Sequence, residues 1–256
     1  MYKLTNTLQH YVWGSPSLLC DLFGLPNPES RPIAEVWMGA HPKSSSSITF
    51  QKRNVALNDH IREFENQCLG HEIAQRFGEL PFLFKVLCAD KALSIQVHPS
   101  KSAAEEGFLR ENLSGIPLDS SVRNYKDPNH KPELVFALTP FRAMNAFREL
   151  PEITELLKPV RAVHPAVETF LNSPDYEHLN RVFAELLNLK GQQKNNAISL
   201  LKMVLPEQNG VAWDTIKDLL EDYPDDVGLF MPLLLNVIEL QPGEAMFLHA
   251  ETPHAY

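Results

Sequence analysis

No run of apolar residues in this sequence is long enough to span a bilayer, and the opening residues, MYKLTNTLQHYVWG, contain no signal-peptide core. Basic runs and stripes are also missing: 23 Lys and Arg stand against 32 Asp and Glu, a formal net charge of −9. Nucleic acid and anionic membrane are therefore not expected as partners. Cysteine is scarce. Cys20, Cys68 and Cys88 are widely spaced and odd in number, which fits neither a disulfide framework nor a CxxC metal site. They read as reduced thiols of a cytoplasmic protein, with Cys88, inside the apolar FLFKVLCA, expected in the core. There is no internal repeat and no low-complexity segment.

What is present is an ordinary globular composition, 44% hydrophobic and 21% charged. At 256 residues the chain suits one large domain, or a domain carrying an insertion. Up to about residue 148 it is rich in short strands, prolines and loops. AEVWMGAHP, LPFLFKVLCA, ALSIQVHP and PELVFAL are strand-like. Asn58 is a plausible cap for a helix over NDHIREFENQ, and Ser102-x-x-Glu105 for one over SKSAAEEGF.

From 149 to 226 the texture is helical. Leu179, Val182, Phe183, Leu186 and Leu187 recur at i, i+3, i+4, i+7 and i+8. Ile198, Leu201 and Leu205, then Ile216, Leu219 and Leu220, suggest two further helices, with KGQQ and PEQNG as breaks. Strand texture returns over 227–256, in LLLNVIEL and AMFLHAETPHAY. The expected class is thus mainly β with an α insertion: a β-domain begun over 1–148, interrupted by helices, and resumed at 227–256.

ALSIQVHPSK alternates strictly, with Leu93, Ile95 and Val97 apolar and Ser94, Gln96 and His98 polar. Period two predicts a strand with its polar residues on one face. That face is either solvated or turned into a ligand cavity, as small β-barrels allow. In the second case Gln96 and His98, roughly 7 Å apart along the strand, converge on one ion. NHKPELVFAL puts Lys131, Glu133, Val135 and Ala137 on one face and Leu134 and Phe136 on the other. A carboxylate heading an apolar strand costs several kcal/mol unless a cation or metal pairs with it. Lys131 is one such partner. His254, after a proline in HAETPHAY, supplies another imidazole. Gln96, His98, Glu133 and His254 together make a donor set suited to one Zn²⁺, or to Mn²⁺ or Co²⁺. His41 and His249 have no neighbour at ligand spacing and read as structural.

These segments, with YVWG, AEVWMGAHPKSSS, GELPFLFKVLCA, NYKDPNHKPELVFALT and QPGEAMFLHAETPHAY, occur in an order that resembles type I phosphomannose isomerases, zinc enzymes of the cupin superfamily. The resemblance runs over all 256 residues. It implies a cupin (jelly-roll-like) β-domain with an inserted helical domain, and zinc on Gln96, His98, Glu133 and His254. It further implies that Lys85 and Ser94 hold the phosphate of a phosphorylated hexose. Lys131 would sit beside the reacting carbons as base or proton shuttle, and Trp13 and Tyr256 would line the pocket. The reaction implied interconverts mannose 6-phosphate and fructose 6-phosphate by proton transfer between C1 and C2 through an enediol. Burial and the nearby cation would both lower the pKa of Lys131 toward the range of a base, with Glu133 acting against them.

The family pattern continues past HAY through further barrel strands, an arginine motif and a second cupin domain, with a monomer expected at full length. A chain ending at Tyr256 is accordingly expected to be impaired as an isomerase, by roughly 10²-fold or more if one phosphate-clamping arginine is lost. A non-catalytic sugar-phosphate-binding cupin and, more distantly, a non-haem iron oxygenase are the competing expectations.

Overall fold

The computed structural model describes residues 1–256 and separates into two compact units, Met1–Leu93 and Ser94–Tyr256. Short alternating segments bounded by turns give eleven strands, all paired antiparallel. No helix is long and apolar enough to cross a membrane.

In the first unit β1 (Leu4–Thr5), β4 (Ser47–Phe50) and β5 (Arg53–Ala56) form one sheet. The other is built by β2 (Thr7–Gln9), β3 (Glu35–Met38) and β6 (Phe84–Leu87). Leu19, Ile33, Val36 and Cys88 make a core, so Cys88 is buried as expected. The glycine of YVWG is required by a close approach: a Cβ on Gly14 would stand 2.5 Å from the backbone of Ala34. The helix after β5, Leu57–Glu63, takes Ala56 as its N-cap rather than Asn58, and breaks at Phe64 before a second helix, Glu65–Leu69.

In the second unit the expected strand over 93–98 reduces to one bridge at Gln96, which pairs with His254. Ile95 is instead packed against the helical core, and Val97 is exposed. The following helix, Lys101–Leu113, is capped by Ser100, whose Oγ accepts from the Ala103 N–H. Ser102 and Glu105 form no capping box because the helix starts earlier than that motif needs. Gly107 on this helix lets Tyr125 pack against it; a Cβ there would meet the ring at 2.5 Å.

Two sheets follow. β7 (Glu133–Phe136) pairs with β10 (Ala245–Leu248). β8 (Phe141–Phe147) is central between β9 (Leu235–Leu240) and β11 (His254–Ala255). Their facing sides meet in a cluster of Ala137, Ala143, Leu240, Met246 and Leu248. The opposite side of the β8 sheet, with Met144, Leu235 and Ala255, joins the core of the helical block.

That block contains Leu150–Leu157, Pro165–Asn172, Tyr176–Leu187, Gly191–Val204 and Val211–Asp222. Its apolar stripes converge on Phe170, Leu179, Val182, Leu186, Leu201 and Ile216, each almost fully buried. Burial at that level contributes about 1.5–3 kcal/mol per large side chain. Period two therefore gives way to period 3.6 and returns, and the helices pack on one face of a sheet drawn from both flanks.

Candidate metal centre

β7 shows the alternation that its sequence requires: Glu133 and Val135 are partly buried, while Leu134 and Phe136 are exposed. The carboxylate thus points to the sheet-facing side and the apolar pair to solvent. Lys131 pairs with a different carboxylate. Its Nζ binds the Asp127 carboxylate at 3.1 Å, and its side chain is about half exposed.

Three backbone hydrogen bonds hold the His98 segment to the end of the chain. Gln96 and His254 exchange both N–H···O bonds at 2.8 and 2.9 Å, and the Glu251 N–H donates to the His98 carbonyl at 2.7 Å. The last bond needs a turn in which Glu251 adopts φ 65°, uncommon for a residue with a Cβ. These bonds bring together His98, Glu133 and His254, whose ligand atoms all lie within 4.8 Å of one another. His98 Nε2 is 3.3 Å from one Glu133 oxygen, and His254 Nε2 is 3.7 Å from the other.

His254 decides what this cluster can do. Its Nδ1 lies 2.8 Å from the Thr252 carbonyl, which only accepts, so the ring proton is on Nδ1. Nε2 then carries a lone pair. It is buried and has no hydrogen-bond partner, a costly arrangement for a polar atom unless a ligand takes it. A divalent cation fits: two imidazoles and a carboxylate converge, and one imidazole is oriented by a carbonyl behind it.

Tyr256 does more than line a wall. Its hydroxyl donates to Glu133 Oε2, and burial, then the Glu133 carboxylate, push its proton affinity well above the ordinary phenol value. It is therefore a fixed donor that orients the carboxylate. Gln96 stands directly opposite His254, so the two side chains leave the same face, but Gln96 is exposed. Ser94 is exposed at the start of the second unit.

Lys85 and Trp13 belong to the first unit. Lys85 pairs with buried Glu35 at 2.8 Å, not with Glu133, and the Trp37 indole donates to the other Glu35 oxygen at 2.7 Å. Trp13 stacks on Tyr11 with ring centroids 5.7 Å apart. His41 and His249 sit against aromatic rings, Trp37 and Phe247 respectively. Sequence reasoning missed Thr252, Glu35 and the Tyr256–Glu133 bond. Only the polarity of Glu35 inside a strand rich in apolar residues signalled any of them.

Residues 1–150 match the family model of the phosphomannose isomerase type I catalytic domain, and residues 156–235 that of its helical insertion domain. Over its whole length the chain is 59% identical to mannose-6-phosphate isomerase of Escherichia coli (strain K12) and 36% identical to that of Rattus norvegicus, covering 66% and 64% of their lengths. A crystal structure of zinc-bound mannose 6-phosphate isomerase superposes with a TM-score of 0.94 at 58% identity, over 100% of this chain and 65% of the other. The Salmonella typhimurium enzyme bound to substrate and zinc gives the same values. The chain spans about two thirds of these relatives, and the shared fold is the cupin-type β-domain with its helical insertion. On these matches the chain belongs to the type I phosphomannose isomerase family.

Proposed function

We propose that the chain supports aldose–ketose isomerisation of mannose 6-phosphate and fructose 6-phosphate at a single zinc site formed by Gln96, His98, Glu133 and His254. The observation that carries the reading is the bare, buried Nε2 of His254 beside His98 and Glu133. Zinc in relatives of this sequence and structure supports it. Gln96 is the outermost of the four, since it shares a face with His254 but remains exposed.

When bound, a divalent ion would supply Lewis acidity toward sugar oxygens and orient them. The protein's own groups supply the rest. Tyr256 holds the Glu133 carboxylate, and Thr252 holds the His254 ring. Lys131, two residues before Glu133, presents an amine that exchanges a proton with the C1–C2 unit of the sugar, with Asp127 fixing its position. Lys85 and Ser94 are read as phosphate contacts, one a point charge and the other a hydroxyl donor, and Trp13 as a further wall. The β-domain is read as 1–148 with 227–256, and the helical domain as 149–226, supported by the strand pairing of β8 with β9 and β11. Three free cysteines support a reducing, cytoplasmic setting.

The test is NMR of the zinc-loaded chain with mannose 6-phosphate in heavy water. The reading predicts fructose 6-phosphate with deuterium at C1, and deuterium at C2 of mannose 6-phosphate formed in the reverse direction. Tight binding of fructose 6-phosphate with no conversion would replace the isomerase with a non-catalytic sugar-phosphate-binding protein.

A further inference from the structure

A row of polar side chains crosses the sheet at the level of His254. In register, Gln96 opposes His254, His254 opposes Asn145, and Asn145 opposes Asn236. Residues directly opposite in antiparallel strands project to the same face, with Cβ atoms roughly 4.5–5.5 Å apart. Asn145 therefore stands beside the His254 ring. Its neighbours along β8, Ala143 on this face and Met144 on the other, are buried in apolar clusters.

Asn145 is held firmly. The strand bulges immediately after it, where Ala146 takes φ 60°. Asn236 Nδ2 donates to the carbonyls of Asn145, Ala146 and Phe147 at 3.1, 3.3 and 3.0 Å, and the Ala146 N–H donates to the Pro253 carbonyl at 3.0 Å. The Asn145 side-chain oxygen is the exception to this pairing. Oδ1 is buried and has no hydrogen-bond partner. A backbone fixed this completely sets the direction in which the Asn145 side chain leaves the strand. An orphan acceptor lowers the stability of the ligand-free protein, and it is tolerated where a ligand supplies the missing donor.

We infer that Asn145 is a substrate-positioning residue whose Oδ1 accepts a hydrogen bond from a sugar hydroxyl bound at the His254 site. The inference rests on the sugar-phosphate reading above and assigns to it a residue that carries neither charge nor metal. Its role is to select a hydroxylated ligand: the acceptor rejects an apolar group and is satisfied by an O–H.

The experiment titrates zinc-loaded wild type and Asn145→Ala by calorimetry with fructose 6-phosphate and, separately, inorganic phosphate. Thermal melts and zinc content are measured on the same samples. The expected result is a roughly three- to ten-fold weaker Kd for fructose 6-phosphate in the variant, the range of one hydrogen bond. Phosphate affinity and zinc content should be unchanged, and the Tm of the ligand-free variant equal or higher. A merely structural asparagine would give a lower Tm. If wild type binds fructose 6-phosphate and Asn145→Ala binds it as tightly, the inference is wrong while the sugar-phosphate reading stands. If zinc-loaded wild type does not bind fructose 6-phosphate, that reading fails and the inference with it. Should Asn145→Ala fail to fold, Asn145→Leu, which keeps the side chain's shape and removes the acceptor, takes its place, and an unaltered Kd for it overturns the inference equally.

Discussion

Tyr256 donates its hydroxyl proton to Oε2 of Glu133, joining the last residue of the sequence to the first residue of β7 across 123 positions. The carboxylate is held from behind while its other oxygen faces His98 at 3.3 Å. A ligand oriented in this way binds metal with less reorganisation.

Removing that bond should therefore weaken metal binding without abolishing it. Tyr256→Phe keeps the ring, which packs against Phe141 at 5.6 Å, and deletes only the donor. Zinc affinity is expected to fall about 10- to 100-fold, measured by competition with a chromophoric chelator. Unchanged affinity would mean that the tyrosine serves packing alone.

The Lys85–Glu35 pair makes a second, separable prediction. The Glu35 side chain is only 6% exposed, whereas that of Lys85 is 34% exposed. Lys85→Ala leaves a buried carboxylate with the Trp37 indole as its remaining bond. The cost is expected to be about 1–3 kcal/mol, less than for a fully buried pair because solvent reaches the amine. Lys85→Ala combined with Glu35→Gln should recover most of it in urea melts. Lys85 thus has a folding role in addition to any phosphate contact. A weakened phosphate affinity that persists in the stabilised double variant would separate the two roles.

Acid should loosen the helical block at one identifiable point. Asp175 caps the helix Tyr176–Leu187 by accepting from the His178 N–H at 2.8 Å, and that bond holds its carboxyl below the ordinary aspartate range. A carboxyl depressed in the folded state contributes stability above its unfolded value, near 3.8. The contribution is lost as pH falls through the folded value. Asp175→Ala should lower Tm by about 2–4 °C at neutral pH. The gap between variant and wild type should close in melts taken progressively below about pH 4. A gap that persists at the lowest pH would contradict the assignment.

How much of this was legible from the residues depended on whether the signal was local. The alternation of Glu133, Leu134, Val135 and Phe136 reports burial correctly, because period two acts within one strand. The stripes of Leu179 to Leu187 report their helix for the same reason. The alternation over 92–98 misleads: its apolar Ile95 is drawn to the helical core, and only Gln96 finds a ladder partner. Asn145 carried no signal. Its meaning comes from lying opposite His254 at a bulge, a register set by chain segments far apart in sequence, which no local pattern encodes. Lys131 likewise read as a partner for Glu133, whereas its amine pairs with Asp127, four residues earlier in a loop.

Elemental analysis of the purified chain beside His98→Ala, His254→Ala and Gln96→Ala tests the central claim most directly. The account predicts one zinc per wild-type chain and loss of zinc in both histidine variants. A weaker deficit is expected in Gln96→Ala, because that side chain is the exposed member of the set. Zinc at full occupancy in His98→Ala and His254→Ala, or iron in place of zinc in the wild type, would contradict it.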